Sequence, residues 1–366
     1  MTQALLKPIK LHDLELKNRV VMAPMTRSRA DNEGNVPNDI MVTYYTQRAG
    51  AGLIITEGSQ ISKQAVGYIN TPGIYSPEQV AGWKKITKAV HDEGGKIFIQ
   101  LWHVGRMSHP DFHDGALPVA PSAINPNDKA YTPQGFKDTV TPRELTVPEI
   151  KQIVQDFKQA AENAMAADFD GVEVHSSNGY LLHQFFVTSS NSRTDEYGGS
   201  RENRARILFE VLDAIKEVMP VEKVGVRLNP SLHGGFGITL NEETIPTYDY
   251  IIEKLNDYNL AYLHLSEPFS DVSEVPFAEP NIAKRYRPIY KGNLIINAGF
   301  TQEKGNKVIA DGEADMVAFG VPFISNPDLP ERFAQNAALQ QPDKNTFYAP
   351  GTKGYIDYPS LAELEV

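Results

Sequence analysis

Thr146-Val-Pro-Glu149 opens a long amphipathic run, and Gly171-Val-Glu-Val-His175 follows soon after it. The first stretch is a helix start. It has a threonine able to cap, a proline suited to the first turn and a glutamate three residues after the cap. The second is a short, nearly continuous apolar run, as a strand covered on both faces requires. A capped helix feeding a buried strand is one unit of an alternating chain, and how often that unit recurs decides the fold.

Eight strand-like runs recur: Val20–Met25, Gly52–Gly58, Lys96–Trp102, Gly171–His175, Val224–Asn229, Ala261–Ser266, Asn293–Gly299 and Asp315–Gly320. Helical patterns lie between most of them, at Pro77–Glu93, Val147–Ala167, Arg201–Met219 and Glu242–Tyr258. Ser76 and Gln79 repeat the capping-box spacing before the first of these helices. Eightfold alternation predicts an α/β fold, a (β/α)8 TIM barrel, with 1–366 as a single domain. The alternative, an open doubly wound sheet, calls for a glycine-rich phosphate loop after the first strand. The chain reads Ala23-Pro24-Met25-Thr26-Arg27 there instead.

Two segments interrupt the rhythm. His103–Arg143 is long and proline-rich and follows strand three, so it is expected to form a lid or capping insertion. Glu267–Gly292, after strand six, is expected to do likewise. Before strand one, Ile9–Lys17 alternates and predicts a hairpin plugging the bottom of the barrel.

Composition narrows the function. The chain has 366 residues, 41% of them hydrophobic, and a net charge of -11. An acidic chain without a long basic run is a poor partner for nucleic acid or an anionic membrane. Cysteine is absent, which excludes disulfides, thiolate metal sites, iron–sulfur clusters and cysteine nucleophiles. No signal-like or membrane-spanning apolar run is visible, so a cytoplasmic protein is expected, as a monomer or homodimer.

Polar residues gather at the predicted C-terminal strand ends, where barrel active sites sit. His175-Ser-Ser-Asn178-Gly-Tyr180 would bring two hydrogen-bond donors to one point with a proton donor beside them. That set can hold a carbonyl or nitro oxygen while a conjugated double bond is attacked. Arg227 lies inside strand five, where it needs either an anion or an ion pair with Glu173 on the next strand. Gln100 offers a donor and an acceptor suited to a pyrimidine-like edge, and Thr26 ends strand one. Asn297-Ala298-Gly299 and Phe319-Gly320-Val321 end strands seven and eight, a frequent phosphate corner. Phosphate there and a ring over the barrel mouth describe flavin mononucleotide. Tyr68, Trp102, Tyr180 and Tyr348 could line an apolar pocket above it. His103, His109 and His113 are read as a polar loop, with no metal site expected.

Together these stretches resemble the old yellow enzyme family of FMN-dependent ene-reductases, over nearly the whole chain. The resemblance rests on Ala23-Pro-Met-Thr-Arg27, Gln100-Leu-Trp-His-Val-Gly-Arg106 and His175-Ser-Ser-Asn-Gly-Tyr180. It continues in Asn191-Ser-Arg-Thr-Asp-Glu-Tyr-Gly-Gly-Ser200, Glu202-Asn-Arg204 and Ser325-Asn-Pro-Asp-Leu329. The pattern is most similar to the bacterial branch of N-ethylmaleimide, pentaerythritol tetranitrate and glycerol trinitrate reductases. Thr26 fits that branch, because another branch carries cysteine there.

The resemblance implies the following roles. Thr26 meets the flavin C4 carbonyl, Gln100 the pyrimidine edge and Arg227 the N1 and C2 carbonyl side. Ala23, Pro24, Met25, Glu57, Gly58, Asn297, Ala298, Gly299, Phe319, Gly320 and Val321 complete the cofactor site. His175 and Asn178 bind the oxygen of an enone, maleimide or nitro compound, and Tyr180 supplies the proton. Tyr68, Trp102 and Tyr348 shape the substrate cavity, and NADPH or NADH is the reductant. At Val321 the family usually has arginine, which helps clamp the phosphate, so weaker FMN retention is expected here. Two other readings stay open: a barrel aldolase or isomerase acting on sugar phosphates, and a flavin-binding protein without turnover.

Overall fold

Ser76 and Thr146 act as their spacing predicts. Each accepts a hydrogen bond from the backbone of the third helical residue, and Gln79 or Glu149 bonds back to the cap. The helices they start, Pro77–Asp92 and Val147–Ala166, each lead into a buried strand. The computed structural model describes residues 3–364, so residues 1–2 and 365–366 of the expected domain lie outside the described residues.

Fourteen strands are present among the described residues. β1 (Ile9–Leu11) and β2 (Leu14–Leu16) form the N-terminal hairpin. β3 (Val20–Met22), β4 (Leu53–Gln60) and β5 (Ile97–Trp102) begin the barrel. The insertion carries β6 (Val119–Ala120), β7 (Lys129–Thr132), β8 (Gly135–Asp138) and β9 (Arg143–Glu144). β10 (Gly171–His175), β11 (Val224–Leu228), β12 (Tyr262–Ser266), β13 (Leu294–Asn297) and β14 (Met316–Phe319) complete it. β3, β4, β5 and β10 to β14 pair in parallel and close, which removes the open-sheet alternative.

The barrel strands sort their side chains by parity, because successive residues of a strand face opposite ways. Val20, Met22, Ile54, Leu294, Ile296 and Val317 belong to the large core shared with the helices. Val21, Ala23, Leu53, Ile55, Ile295, Met316 and Ala318 form a second, inner cluster. Leu11 and Leu16 of the hairpin join that inner cluster, so the hairpin plugs the barrel as its alternation predicted. Polar side chains are left for the mouth.

Strand one ends at Met22, three residues short of the sequence reading, and strand two runs on to Gln60 through a register shift between Ile55 and Gly58. The shift is local irregularity that periodicity alone does not reveal. The insertion after β5 is built from short pairs, β6 with β9 and β7 with β8. Arg193 fastens it, donating to the carbonyls of Pro121 at 2.8 Å and Leu145 at 2.6 Å.

Candidate active site

Strand ends converge on one cleft of about 720 Å³. Ala23, Pro24, Met25 and Thr26 continue from β3 into its wall. Arg227 comes from β11, Asn297-Ala298-Gly299 from β13 and Phe319-Gly320-Val321 from β14. Tyr348 arrives from the C-terminal segment. Arg29 holds that segment, donating to the carbonyls of Thr346 at 2.8 Å and Phe347 at 3.0 Å.

Arg227 is the informative member. It is buried, and Nε has no hydrogen-bond partner among the described residues. Of the two alternatives, the ion pair with Glu173 is not made among the described residues: Glu173 accepts from Gln100 Nε2 at 2.8 Å and meets His264 Nδ1 at 2.8 Å. Burial pulls the guanidinium pKa below the usual arginine range, while Glu173 opposes that fall. A charge held this way calls for an anionic or acceptor-rich ligand.

The loop after β13 carries the second mark of a ligand site. Ala298 has φ 76° and Gly299 φ 72°, two successive left-handed residues. Alanine there is strained. At Gly299 a Cβ would find no atom within 4 Å, so the position opens on free space. Asn297 Oδ1 is buried without a partner among the described residues. Val321 is 53% exposed, so the side chain beyond Gly320 makes little contact with protein.

Beside the cleft stands an aromatic wall. Trp102 stacks with Tyr68 at 5.3 Å between centroids and lies edge-on to Tyr180 at 4.9 Å. His175 lies edge-on to Tyr180 at 5.0 Å. It also neighbours Arg227 in strand register. Nδ1 of His175 accepts from the Ser177 N–H at 3.4 Å, with Ser177 Oγ at 3.2 Å. A neutral imidazole accepting at Nδ1 carries its hydrogen on Nε2. The ring is neutral, because burial and then Arg227 push its pKa well below the usual histidine value.

Asn178 has φ 57°, a left-handed position that asparagine tolerates. Oδ1 of Asn178 accepts from Asn229 Nδ2 at 2.9 Å, which leaves its own amide N–H groups free to donate. The Tyr180 hydroxyl donates to Tyr68 at 3.2 Å, and burial pushes its pKa up to about 12. These features make two neutral donors, His175 and Asn178, and a phenol that keeps its proton at neutral pH.

Three expected cofactor residues are not in the wall of this cleft. Gln100 Nε2 donates to Glu173 Oε1, which leaves the Gln100 carboxamide oxygen available to a ligand. Glu57 turns into the protein, accepting from the Arg27 N–H and the Tyr45 hydroxyl, both at 3.2 Å. Burial pushes its pKa up to about 7. A Cβ on Gly58 would lie 2.6 Å from the Trp102 ring, so this glycine makes room for Trp102. Gly58 and Glu57 therefore reach a ligand only through backbone. Sequence reasoning missed Asn229, Phe236, Phe269 and His264. Asn229 and His264 lie on predicted strands, at a strand end or facing inward, which is the signal that could have found them. Phe236, 5.6 Å from Tyr180, and Phe269, in the cleft wall, sit in loops that periodicity does not read.

Residues 4–340 match the NADH:flavin oxidoreductase / NADH oxidase family. The chain is 43% identical to 12-oxophytodienoate reductase 1 of Oryza sativa subsp. japonica, over 99% of this chain and 94% of that protein. A structure of morphinone reductase in complex with tetrahydroNAD is similar with a TM-score of 0.91 and 46% identity, covering 98% of each chain. The old yellow enzyme homologue from Zymomonas mobilis is similar with a TM-score of 0.92 and 40% identity, covering 97% of this chain and 99% of that one.

Proposed function

The chain belongs to the NADH:flavin oxidoreductase / NADH oxidase family, and from that premise we infer the roles of its residues in an FMN-dependent, NAD(P)H-driven ene-reductase. The residues present fit FMN: a buried guanidinium whose Nε has no partner among the described residues, a strained glycine-containing loop beside it and a roomy cleft joining them. The single observation that carries the reading is the unpaired Arg227. It would lie along the electron-rich edge of the ring, with Gln100 on the pyrimidine side and Thr26 at the opposite carbonyl. Backbone N–H groups of the loops ending β13 and β14 would hold the phosphate. Bound there, FMN would supply reversible hydride chemistry between NAD(P)H and the β-carbon of an activated alkene.

The protein's own contribution is electrostatic and positional. Nε2–H of His175 and the Asn178 amide would donate to the substrate's carbonyl or nitro oxygen. Both contacts strengthen as negative charge develops on that oxygen, so they lower the barrier and not merely the binding energy. Neutral donors suit this task, since the site already holds the Arg227 charge. Tyr180 would protonate the α-carbon. Trp102, Tyr68 and Tyr348 would shape the cavity and shed water from it.

The same reading takes electrophilic alkenes or nitro compounds, including nitrate esters or nitroaromatics, as substrates. It takes the cytoplasm as location, a monomer or homodimer as working unit and residues 1–366 as one domain. Among the described residues no helix is long and apolar enough to cross a membrane. An aldolase needs a lysine or carboxylate base at the mouth. Lys96 precedes β5 and lies 3.7 Å from Asp170, away from the cleft.

Val321 tests the phosphate corner. With no cationic side chain there, FMN is expected to leave on extensive dialysis, and Val321→Arg is expected to restore retention. Val321 is half exposed, so the substitution has room. A charge-assisted contact adds about 1.5–3 kcal/mol, roughly tenfold to a hundredfold in affinity. Flavin stoichiometry after dialysis decides it, and full occupancy in both proteins contradicts the assignment.

A further inference from the structure

Glu173 lies in the barrel interior, fully buried, and both of its oxygens are occupied. Oε1 accepts from Gln100 Nε2 and Oε2 meets His264 Nδ1, each at 2.8 Å. Gln100 is the register partner of Glu173 on β5, whereas His264 reaches it from β12, beyond β11. His264 is itself the register partner of Arg227. A carboxylate this close to an arginine-bearing strand would be expected to take the arginine. Here it does not, because an amide and an imidazole occupy it first.

The arrangement has two consequences. With its NH2 on Glu173, the Gln100 carboxamide has Oε1 as its free acceptor, so its orientation is fixed before any ligand arrives. With Glu173 occupied, Arg227 stays out of an internal ion pair, yet the nearby negative charge supports its ionisation. Resting on the FMN reading above, we propose that Glu173 is a positioning residue for the cofactor edge: it orients Gln100 and, together with His264, reserves the Arg227 charge for the flavin. His264 Nε2 is buried without a partner among the described residues, so the ring can change tautomer without losing a bond at that atom.

The tautomer gives the test. In Glu173→Gln, the new amide oxygen can accept from Gln100 and its NH2 can donate to His264 Nδ1, once the histidine proton moves to Nε2. The hydrogen bonds survive while the charge goes. A nearby charge couples to the redox state it faces. Loss of the negative charge favours the electron-rich, reduced flavin by about tenfold over the oxidised form, a positive midpoint-potential shift of about 30 mV for a two-electron couple.

The experiment is spectroelectrochemical titration of the FMN-loaded wild type and E173Q. A positive shift supports the role of Glu173, and an unchanged potential overturns it. Should E173Q fail to fold, Glu173→Asp carries the test. It keeps the charge but is one methylene too short to hold both partners. It is expected to lose FMN affinity about tenfold at a near-wild-type potential, measured by FMN titration of apoprotein, and wild-type affinity overturns the proposal. A wild-type apoprotein that takes up no FMN overturns the functional reading and this inference together.

Discussion

Replacing Arg227 by methionine is expected to move two measurements in opposite directions. The apoprotein should become more stable, because a buried charge without a partner gives way to an apolar chain of similar length. Exchanging buried charges for apolar groups is often neutral or stabilising, by about 1–4 kcal/mol. FMN affinity should fall, by roughly tenfold to a hundredfold, because contacts from a charged donor to the ring edge are lost. Thermal melting of apoprotein and fluorescence titration with FMN read the two effects separately. An ordinary structural arginine loses stability on this change. A lower apoprotein melting temperature with unchanged FMN affinity would therefore assign Arg227 to the scaffold and remove the main support for the cofactor site.

Tyr180→Phe is expected to slow alkene reduction by about a hundredfold or more, the contribution typical of a positioned general acid. It should leave reduction of the enzyme by NADPH nearly intact, since that half-reaction needs no proton at the substrate α-carbon. The wild-type phenol is protonated at neutral pH, its pKa being pushed up to about 12 by burial. Its proton is therefore present across the working range, and the loss in the variant should be the same at pH 6 and pH 8. The Tyr68 hydroxyl, 3.2 Å from that of Tyr180, is unchanged in the variant. Stopped-flow traces in which both half-reactions slow alike would contradict the proton-donor role.

The barrel was legible because its signals are local. Capping boxes at Ser76 and Thr146, and apolar runs at β10 to β14, depend on nearest neighbours in sequence. Thr26, Arg227 and the glycines after β13 and β14 were readable from their places at strand ends, and they share a cleft. The fate of Arg227 was not readable. Choosing between an anion and Glu173 requires knowing that Gln100 and His264 already occupy the carboxylate, and His264 stands 91 residues from Glu173. The use of Asn229 to orient Asn178 is equally non-local. The resemblance puts Glu57 in the cofactor site, and its carboxylate is taken up by the Arg27 N–H and the Tyr45 hydroxyl. A register shift between Ile55 and Gly58 interrupts the simple in-out alternation of that strand.

The roles of His175, Asn178 and Tyr180 all require one event: an activated alkene taking hydride in the space between the imidazole–carboxamide pair and the flavin. Anaerobic titration observes it. FMN-loaded protein should bleach on addition of one equivalent of NADPH, and its yellow colour should return in proportion to 2-cyclohexenone added afterwards, with saturated ketone as the product. Protein that bleaches but ignores the enone, or that never bleaches, contradicts this account of the site.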